Sequence, residues 1–112
     1  MDDIRILVVD DNAAIISLFR RYLATSRYAV VPAESGQQVR ELLQDFVPAA
    51  ITLDLMMPSR DGLETLQWLR AQPETTDTPI IVCSVLDEPD LAFSLGANDY
   101  LRKPVSQSAL LQ

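Results

Sequence analysis

The chain has 112 residues, 48% of them hydrophobic, and a formal net charge of −7, which predicts one folded domain and argues against a disordered chain. Phosphate backbones repel an acidic chain, so direct nucleic-acid binding is not expected. No apolar stretch approaches the ~20 residues that a transmembrane helix needs, and the acidic start at Met1 is unlike a secretory signal, so neither membrane insertion nor export is predicted.

The first half of the sequence alternates strand and helix patterns. The apolar run over residues 5–9 predicts a strand, and Asn12 is suited to cap the helix that follows. Residues 28–33 predict a second strand. Ser35 and Gln38 have the spacing of a capping box, which opens a second helix. The buried stripe of this second helix is expected to consist of Val39, Leu42, Leu43 and Phe46.

The second half continues the alternation. The apolar runs over residues 50–54 and 79–84 predict a third and a fourth strand. Between them, Asp61 and Glu64 have the spacing of another capping box, which predicts a third helix. A short fifth strand is predicted over residues 99–102.

The last two helices are expected to be short. Pro89 suits the first turn of a fourth helix, which is predicted to end near Gly96. Ser106 can cap a fifth helix, but Gln112 follows after less than about two turns.

Polar residues stand where the predicted strands end. Strands that are apolar throughout and separated by helices indicate a parallel sheet covered on both faces. Right-handed crossovers place the C-terminal ends of such strands at one edge, which is the functional edge of a doubly wound fold. Five polar residues fall at these ends, namely Asp10, Asp11, Asp54, Ser84 and Lys103.

These residue types can carry phosphoryl chemistry. Carboxylates are rarely buried unless they are paired or metal-bound, and three aspartates at one edge suit Mg²⁺, which takes oxygen ligands. An aspartate beside a metal can also attack phosphorus and form an acyl phosphate. Lys103, the only lysine, adds a compact positive charge, and Ser84 adds a hydroxyl donor. These groups suffice for phosphoryl transfer onto Asp54.

The chain has no histidine and a single cysteine, Cys83. The lack of histidine excludes Ser-His triads, histidine metal sites and a phosphohistidine on this chain. Cys83 lies in an apolar run, so we expect a small buried hydrophobic side chain rather than a reactive thiol. A lone cysteine without an export signal favours a reducing, cytoplasmic location.

Over nearly all of its length the chain resembles the receiver domain of two-component response regulators. The resemblance depends on four motifs, which occur in the family's order and in matching strand context. They are Val8-Val9-Asp10-Asp11-Asn12, Leu53-Asp54-Leu55-Met56-Met57-Pro58 through Asp61-Gly62, Ser84, and Gly96-Ala97-Asn98-Asp99-Tyr100-Leu101 with Lys103-Pro104. The resemblance implies one receiver domain over residues 1–112. Its fold would be α/β and flavodoxin-like, a doubly wound five-stranded parallel sheet of order 2-1-3-4-5 with helices on both faces.

The resemblance also implies a role for each site residue. Asp54 would be the phosphoacceptor. The Mg²⁺ ion, for which Mn²⁺ could substitute, would be held by Asp10, Asp11, Asp54 and the backbone carbonyl of Met56.

Three further residues would respond to the phosphoryl group in this family. Lys103 would contact it directly. Ser84 would be the hydroxyl that moves to bond it, and Tyr100 the aromatic side chain that turns inward with the hydroxyl. Ser84 and Tyr100 would therefore form the conformational switch.

The phosphoryl donor must be another molecule, because this chain has no histidine. The resemblance implies a histidine kinase or a histidine phosphotransfer protein, with small acyl phosphates as substitutes. The chain would catalyse only its own phosphorylation and dephosphorylation, so it would not be an enzyme for other substrates. Its conformational change would regulate an output partner or domain, and a homodimer is one expected assembly.

The chain departs from the family pattern near the fourth helix. The segment between Ser84 and Gly96 is shorter than in the family by about one helical turn. With a truncated fifth helix, this reduces the face that many receivers use for dimerisation or output. Met56 and Leu86 are apolar at positions that influence hydrolysis of the acyl phosphate in the family, which predicts slow self-dephosphorylation.

Two other functions stay open at this point. One is an interaction module that keeps the fold but works without phosphorylation, against which the complete set of site residues argues. The other is a Mg²⁺-dependent phosphatase with an aspartyl-phosphate intermediate. Such enzymes of the haloacid dehalogenase type usually carry Asp-x-Asp after the first strand, whereas Asp10 and Asp11 are adjacent.

Overall fold

Strands and helices alternate along the part of the chain that the computed structural model describes, residues 4–24, 28–55, 61–84 and 89–103. Five strands and four helices lie in these ranges. In chain order they are β1 (Ile4–Val9), α1 (Ala13–Tyr22), β2 (Tyr28–Ala33), α2 (Gly36–Leu42), β3 (Ala50–Leu53), α3 (Asp61–Ala71), β4 (Ile80–Ser84), α4 (Pro89–Ser94) and β5 (Asp99–Arg102).

The strands form one parallel sheet of order β2-β1-β3-β4-β5. This order confirms the doubly wound, flavodoxin-like fold that was predicted. Val9 at the end of β1 is in register with Ala33 of β2 and with Leu53 of β3. Because the strands are parallel and in step, the residues that follow β1 and β3 emerge side by side at one edge of the sheet.

One face of the sheet packs against α2 and α3. Leu7 and Val9 of β1 belong to a buried cluster that includes Val39 of α2 and both Leu66 and Leu69 of α3. All five side chains are almost completely buried. Alternate residues of a strand point to opposite faces, so this cluster uses the odd-numbered positions of β1.

The other face packs against α1. Ile6 and Val8 of β1 belong to a second buried cluster with Ile16 and Phe19 of α1. Cys83 of β4 belongs to the same cluster and is 2% exposed, so the prediction of a small buried hydrophobic side chain is confirmed. Burial raises the pKa of the Cys83 thiol to about 12, which keeps the thiol protonated at neutral pH.

Side-chain caps begin α1 and α2. The side chain of Asn12 accepts a hydrogen bond from the amide of Ala14 at 2.9 Å, and Ser35 Oγ accepts one from the amide of Gln38 at 3.2 Å. The reciprocal bond differs from the predicted capping box. Gln38 Oε1 accepts from the amide of Glu34 at 2.8 Å, one residue earlier than the cap residue itself.

The helix α2 is shorter than its apolar stripe predicts. It ends at Leu42, because the amides of Gln44 and Asp45 bond to carbonyl oxygens three residues back, which tightens the chain out of the α-helical spacing. Phe46 therefore lies beyond the helix. Its ring lies 5.5 Å from the guanidinium carbon of Arg5, so the end of the stripe packs at the start of β1.

The short fourth helix is confirmed, since α4 has six residues. The fifth helix predicted from Ser106 lies outside the described residues, as does the side chain of Asp61 in the predicted capping box. Within the described ranges, the longest helix is α3 with 11 residues, and no helix there has the length and apolar character to cross a membrane.

Candidate functional site

Three aspartate side chains meet at the C-terminal edge of the sheet. Asp10 follows β1 and its amide donates to the carbonyl oxygen of Ala33, while Asp54 follows β3 and its amide donates to that of Val9, both at 3.0 Å. These bonds extend the strand pairing by one residue and fix both backbones. With the exposed Asp11, the three carboxylates each offer an oxygen within 4.8 Å of the others.

Lys103 joins the two buried members of this group. Its Nζ atom lies 2.7 Å from Asp10 Oδ2 and 3.3 Å from Asp54 Oδ2. The side chains of Lys103, Asp10 and Asp54 are respectively 13%, 3% and 8% exposed. Water screens such charges poorly, so these ion pairs are stronger than pairs on an open surface.

The surroundings of Lys103 keep it protonated. Burial alone lowers the pKa of the ammonium group, but the hydrogen bond and charge of Asp10, together with the charge of Asp54, outweigh the burial. The net result is a pKa above the ordinary lysine value. The lysine therefore carries a full positive charge at neutral pH.

The local charge balance suits a divalent cation. Three carboxylates and one ammonium leave two negative charges in excess when all four groups are ionised. The three carboxylates would offer only hard oxygen atoms to a metal ion, and oxygen is the ligand type that Mg²⁺ and Mn²⁺ prefer. The residues present therefore fit the predicted ion. Met56, whose carbonyl was predicted as a further ligand, lies outside the described residues.

Ser84 and Tyr100 lie on the strands next to this site. Ser84 ends β4 and is completely buried, and its carbonyl oxygen accepts a hydrogen bond from the amide of Lys103 at 2.8 Å. This bond ties the end of β4 to the residue that carries the ammonium group. Tyr100 pairs with Val82 within the sheet and is half-buried against the cluster under α2 and α3. The structure thus places the predicted switch residues on neighbouring strands.

Asn12 has a second contact that the sequence reasoning missed. Its main-chain amide donates to Asp10 Oδ1 at 2.9 Å, while the other oxygen of that carboxylate accepts from the ammonium group of Lys103. The carboxylate of Asp10 is therefore held from two sides. Aspartate side chains commonly accept from the main-chain amide two residues further on, so Asp10 itself was the signal for this turn in the sequence.

Gly62 is a second residue whose contact was missed. A Cβ atom at this position would lie 2.5 Å from the carbonyl oxygen of Asp54 and 2.5 Å from Cα of Leu55. Only a residue without a side chain lets the first turn of α3 pack this closely on the peptide that follows Asp54. A glycine within a helix is otherwise unfavourable, and that was the available signal.

Comparison with known proteins agrees with this geometry. The family model for the response regulator receiver domain matches residues 6–112. The response regulator MprA of Mycolicibacterium vanbaalenii is 40% identical over 111 residues, covering 96% of this chain and 47% of that protein. MprA of Mycobacterium tuberculosis is 39% identical with the same coverage. The chain thus spans about half the length of the curated relatives that it matches.

Solved structures of the same family superpose closely. The chemotaxis response regulator CheY4 of Vibrio cholerae has a TM-score of 0.89 at 26% identity, with 97% of this chain and 93% of that chain covered. The receiver domain of the sensor histidine kinase PA1611 from Pseudomonas aeruginosa, solved with a magnesium ion in its active-site cleft, has a TM-score of 0.86 at 28% identity, covering 97% and 92%.

The phosphorylated cyanobacterial phytochrome response regulator RcpA has a TM-score of 0.85 at 30% identity, with 98% of this chain and 87% of that chain covered. The match to the family model and the identity with MprA apply to nearly the whole chain. The chain therefore belongs to the response regulator receiver domains, which are signalling domains of two-component systems rather than enzymes in the ordinary sense.

Proposed function

We propose that this chain accepts a phosphoryl group on Asp54 in a Mg²⁺-dependent reaction, with Mn²⁺ as a substitute ion. The donor would be the phosphohistidine of a histidine kinase or of a histidine phosphotransfer protein. The observation that carries the proposal is the triad of Asp10, Asp54 and Lys103, in which one partly buried ammonium group touches both buried carboxylates. Receiver domains interact with histidine kinases, and this triad is where such a donor would react.

The chemical step follows from the groups in the site. An oxygen of the Asp54 carboxylate attacks the phosphorus atom, the bond between phosphorus and the donor's imidazole nitrogen breaks, and the electron pair stays on that nitrogen. Asp54 then carries an acyl phosphate. The ammonium of Lys103, 3.3 Å from Asp54 Oδ2, is close enough to contact the phosphoryl oxygens.

The remaining negative charge calls for a metal ion. Asp10, Asp11, Asp54 and the carbonyl of Met56 would hold Mg²⁺, whose positive charge neutralises phosphoryl oxygens during transfer. Asp10 is oriented for this by the amide of Asn12. The magnesium ion in the PA1611 receiver and the phosphorylated state of RcpA support both parts of the proposal.

The output would be a shift between two conformations of the domain. Ser84 is buried at the end of β4, and Tyr100 lies on β5 next to it, so a group added at Asp54 would act on both through neighbouring strands. The surface affected would be that of α4 and β5. The output partner or domain would read this surface, and the reduced α4 limits it as a homodimer interface.

Acyl-phosphate labelling tests the acceptor. The protein is incubated with acetyl phosphate and Mg²⁺, and its intact mass is measured. We expect one added phosphoryl group in the wild type and in the control variant Asp45→Asn, whose exposed aspartate precedes β3 whereas Asp54 follows it. We expect none in Asp54→Asn or after chelation of the metal. Equal labelling of Asp54→Asn would contradict the assignment of Asp54.

The two alternatives give different results. Steady turnover of a phosphoester substrate would indicate a phosphatase. Beryllofluoride with Mg²⁺ mimics an aspartyl phosphate, so the absence of any change in the amide spectrum would favour a module that works without phosphorylation.

A further inference from the structure

Arg70, in the last turn of α3, binds two separate segments at the edge of the sheet opposite the aspartates. Its Nη1 atom donates to the carbonyl oxygens of Thr75, Thr76 and Thr78 at 3.2, 3.2 and 2.6 Å. These residues belong to the connection between α3 and β4. Its Nε atom donates to the carbonyl oxygen of Gly96 at 2.7 Å, in the turn between α4 and β5.

Asn98 extends this contact to the start of β4. Its Oδ1 atom accepts hydrogen bonds from Arg70 Nη2 and, at 2.8 Å, from the amide of Ile80. Its own amide donates to the carbonyl oxygen of Ile80, also at 2.8 Å. Arg70 and Asn98 together therefore bind the turn after α4 to α3 and β4.

The end of α4 is built around this contact. Gly96 has a φ of +111°, and the amides of Gly96 and Ala97 donate to the carbonyls of Phe93 and Ala92 at 3.1 and 3.0 Å, which is the bond pair of a Schellman motif. A Cβ atom on Gly96 would lie 2.7 Å from Cγ of Arg70. The aliphatic part of the arginine therefore lies directly against the residue that ends the helix.

The segment between Ser84 and Asn98 thus has two different ends. Its first residue, Ser84, lies at the aspartate edge. Its last residue, Asn98, lies at the opposite edge and is bound to Ile80 and Arg70. The short α4 lies between them, and its C-terminal end is the end that Arg70 contacts.

We propose that Arg70 is a positioning residue that fixes the C-terminal end of α4. The movement that follows phosphorylation is then confined to the Ser84 end, and α4 pivots about Gly96. The part of this proposal that concerns phosphorylation rests on the proposed function. The guanidinium is needed because its planar fork can span carbonyls of two segments at once, whereas an ammonium group acts from a single point.

Amide NMR on the full chain tests the pivot in two steps. The first step is hydrogen exchange without any activator. In Arg70→Met we expect the amides of Ile80 and Asn98 to exchange about tenfold faster or more than in the wild type. Arg70→Lys should resemble Arg70→Met, and Arg20→Met, which removes an exposed arginine of α1, should resemble the wild type. Unchanged exchange in Arg70→Met, or full recovery in Arg70→Lys, would overturn the role of the fork.

The second step adds beryllofluoride and Mg²⁺. In the wild type, chemical-shift changes should be large at Ser84 and small at Gly96 and Asn98, while in Arg70→Met they should spread to Gly96 and Asn98. Equal changes at both ends of the wild-type segment would overturn the pivot. If Arg70→Met does not fold, Asn98→Ala, which removes one acceptor, should show the same spread in weaker form. No change anywhere in the wild type would overturn the proposed function instead, and the exchange data alone would then decide whether Arg70 fixes the end of α4.

Discussion

Among the described side chains, one partly buried cation lies at the C-terminal edge of the sheet and one at the N-terminal edge, and the groups around the two cations differ. Lys103 at the C-terminal edge lies between the carboxylates of Asp10 and Asp54. Arg70 at the N-terminal edge donates to neutral carbonyl and amide oxygens. The first edge is left with excess negative charge, whereas the second has its donors matched to acceptors.

In the function proposed above, this difference would separate a reactive site from a structural contact. Carboxylates in excess at a poorly hydrated edge raise the free energy of the protein unless a cation joins them. Burial lowers the pKa of Arg70, and the charge of Asp77 opposes only part of that effect. The guanidinium still keeps its charge at neutral pH, because the ordinary pKa of arginine is very high. We therefore expect added cations and phosphoryl groups to affect the Lys103 edge and to leave the Arg70 edge unchanged.

Removal of Lys103 should have the largest effect on stability. In Lys103→Met, Asp10 and Asp54 lose their shared partner, and breaking a buried ion pair in this way costs about 3–5 kcal/mol. Mg²⁺ should restore more stability to this variant than it adds to the wild type, because the ion supplies the missing positive charge. Urea unfolding with and without Mg²⁺ at neutral pH measures both effects.

Arg70→Met is the matched comparison. It should also lower the free energy of unfolding, since several carbonyl groups lose their donor, but Mg²⁺ should not restore that loss. Equal recovery of both variants by Mg²⁺ would show that the two edges do not differ in the way proposed.

Alanine at Gly62 and at Gly96 compares the two edges with a single added methyl group. Gly62→Ala places a Cβ against the backbone of Asp54 and Leu55, which should cost about 1–3 kcal/mol by overpacking and slow the labelling of Asp54 by acetyl phosphate. Gly96→Ala strains a positive φ, at a cost of about 1–3 kcal/mol, and should leave the labelling rate unchanged. Thermal unfolding and intact mass provide the two measurements, and a slower label in Gly96→Ala would contradict the separation of the edges.

The fold was predictable because its signals are local. The apolar runs predicted strands over residues 5–9 and 79–84, and the structure has them at Ile4–Val9 and Ile80–Ser84. Parallel topology then placed Asp10 and Asp54 at one edge without any knowledge of their contacts. The predicted end of α2 was wrong by about one turn. The apolar spacing continues to Phe46, whereas the hydrogen bonding tightens after Leu42.

The contacts of Arg70 and Gly62 were not predictable from these signals. Arg70 reaches residues 26 and 28 positions away along the chain, and one exposed-looking arginine at a helix end resembles many others. Gly62 belongs to a motif that was recognised, yet its contact depends on how closely α3 approaches the backbone of Asp54. Such distances are set by packing between elements, which a single sequence does not encode locally.

Alkaline pH tests how well the aspartate edge is closed. The pKa of Cys83 is raised from 9.0 to about 12 by burial, so the unfolded chain loses the thiol proton first. The protonated thiol contributes fully to the free energy of unfolding below pH 9.0, and this contribution is lost as the pH rises through about 12. Over that range the free energy of unfolding falls by up to about 1.4 kcal/mol per pH unit. The free energy of unfolding should therefore begin to fall near pH 9 in the wild type.

Cys83→Ala is the control for this pH dependence. The variant should keep its stability up to the region where Lys103 loses its proton. That region lies higher, because the pKa of Lys103 is also raised, from 10.5, so its ion pairs are complete below 10.5 and lost only above it. Identical pH profiles for the wild type and the variant would show that water reaches the thiol and that the edge is open.

The smallest effect is expected on the surface between the two edges. The guanidinium carbon of Arg40, on the exposed side of α2, lies 5.1 Å from the ring centre of Trp68 on α3. Trp68 is half-buried against the cluster between the sheet and helices α2 and α3, so the arginine adds only a partly hydrated cation–π contact. Arg40→Met should therefore lower the free energy of unfolding by about 0.5–1 kcal/mol, as measured by urea unfolding followed through the fluorescence of Trp68.

This small effect matters because it should be independent of both edges. Arg40→Met is expected to keep the wild-type rate of Asp54 labelling and the wild-type amide exchange at Asn98, and Arg20→Met provides the control for loss of an exposed arginine. A change in either property would mean that the contact between Arg40 and Trp68 influences the structure at one of the two edges. The two edges could then no longer be treated as energetically independent of each other.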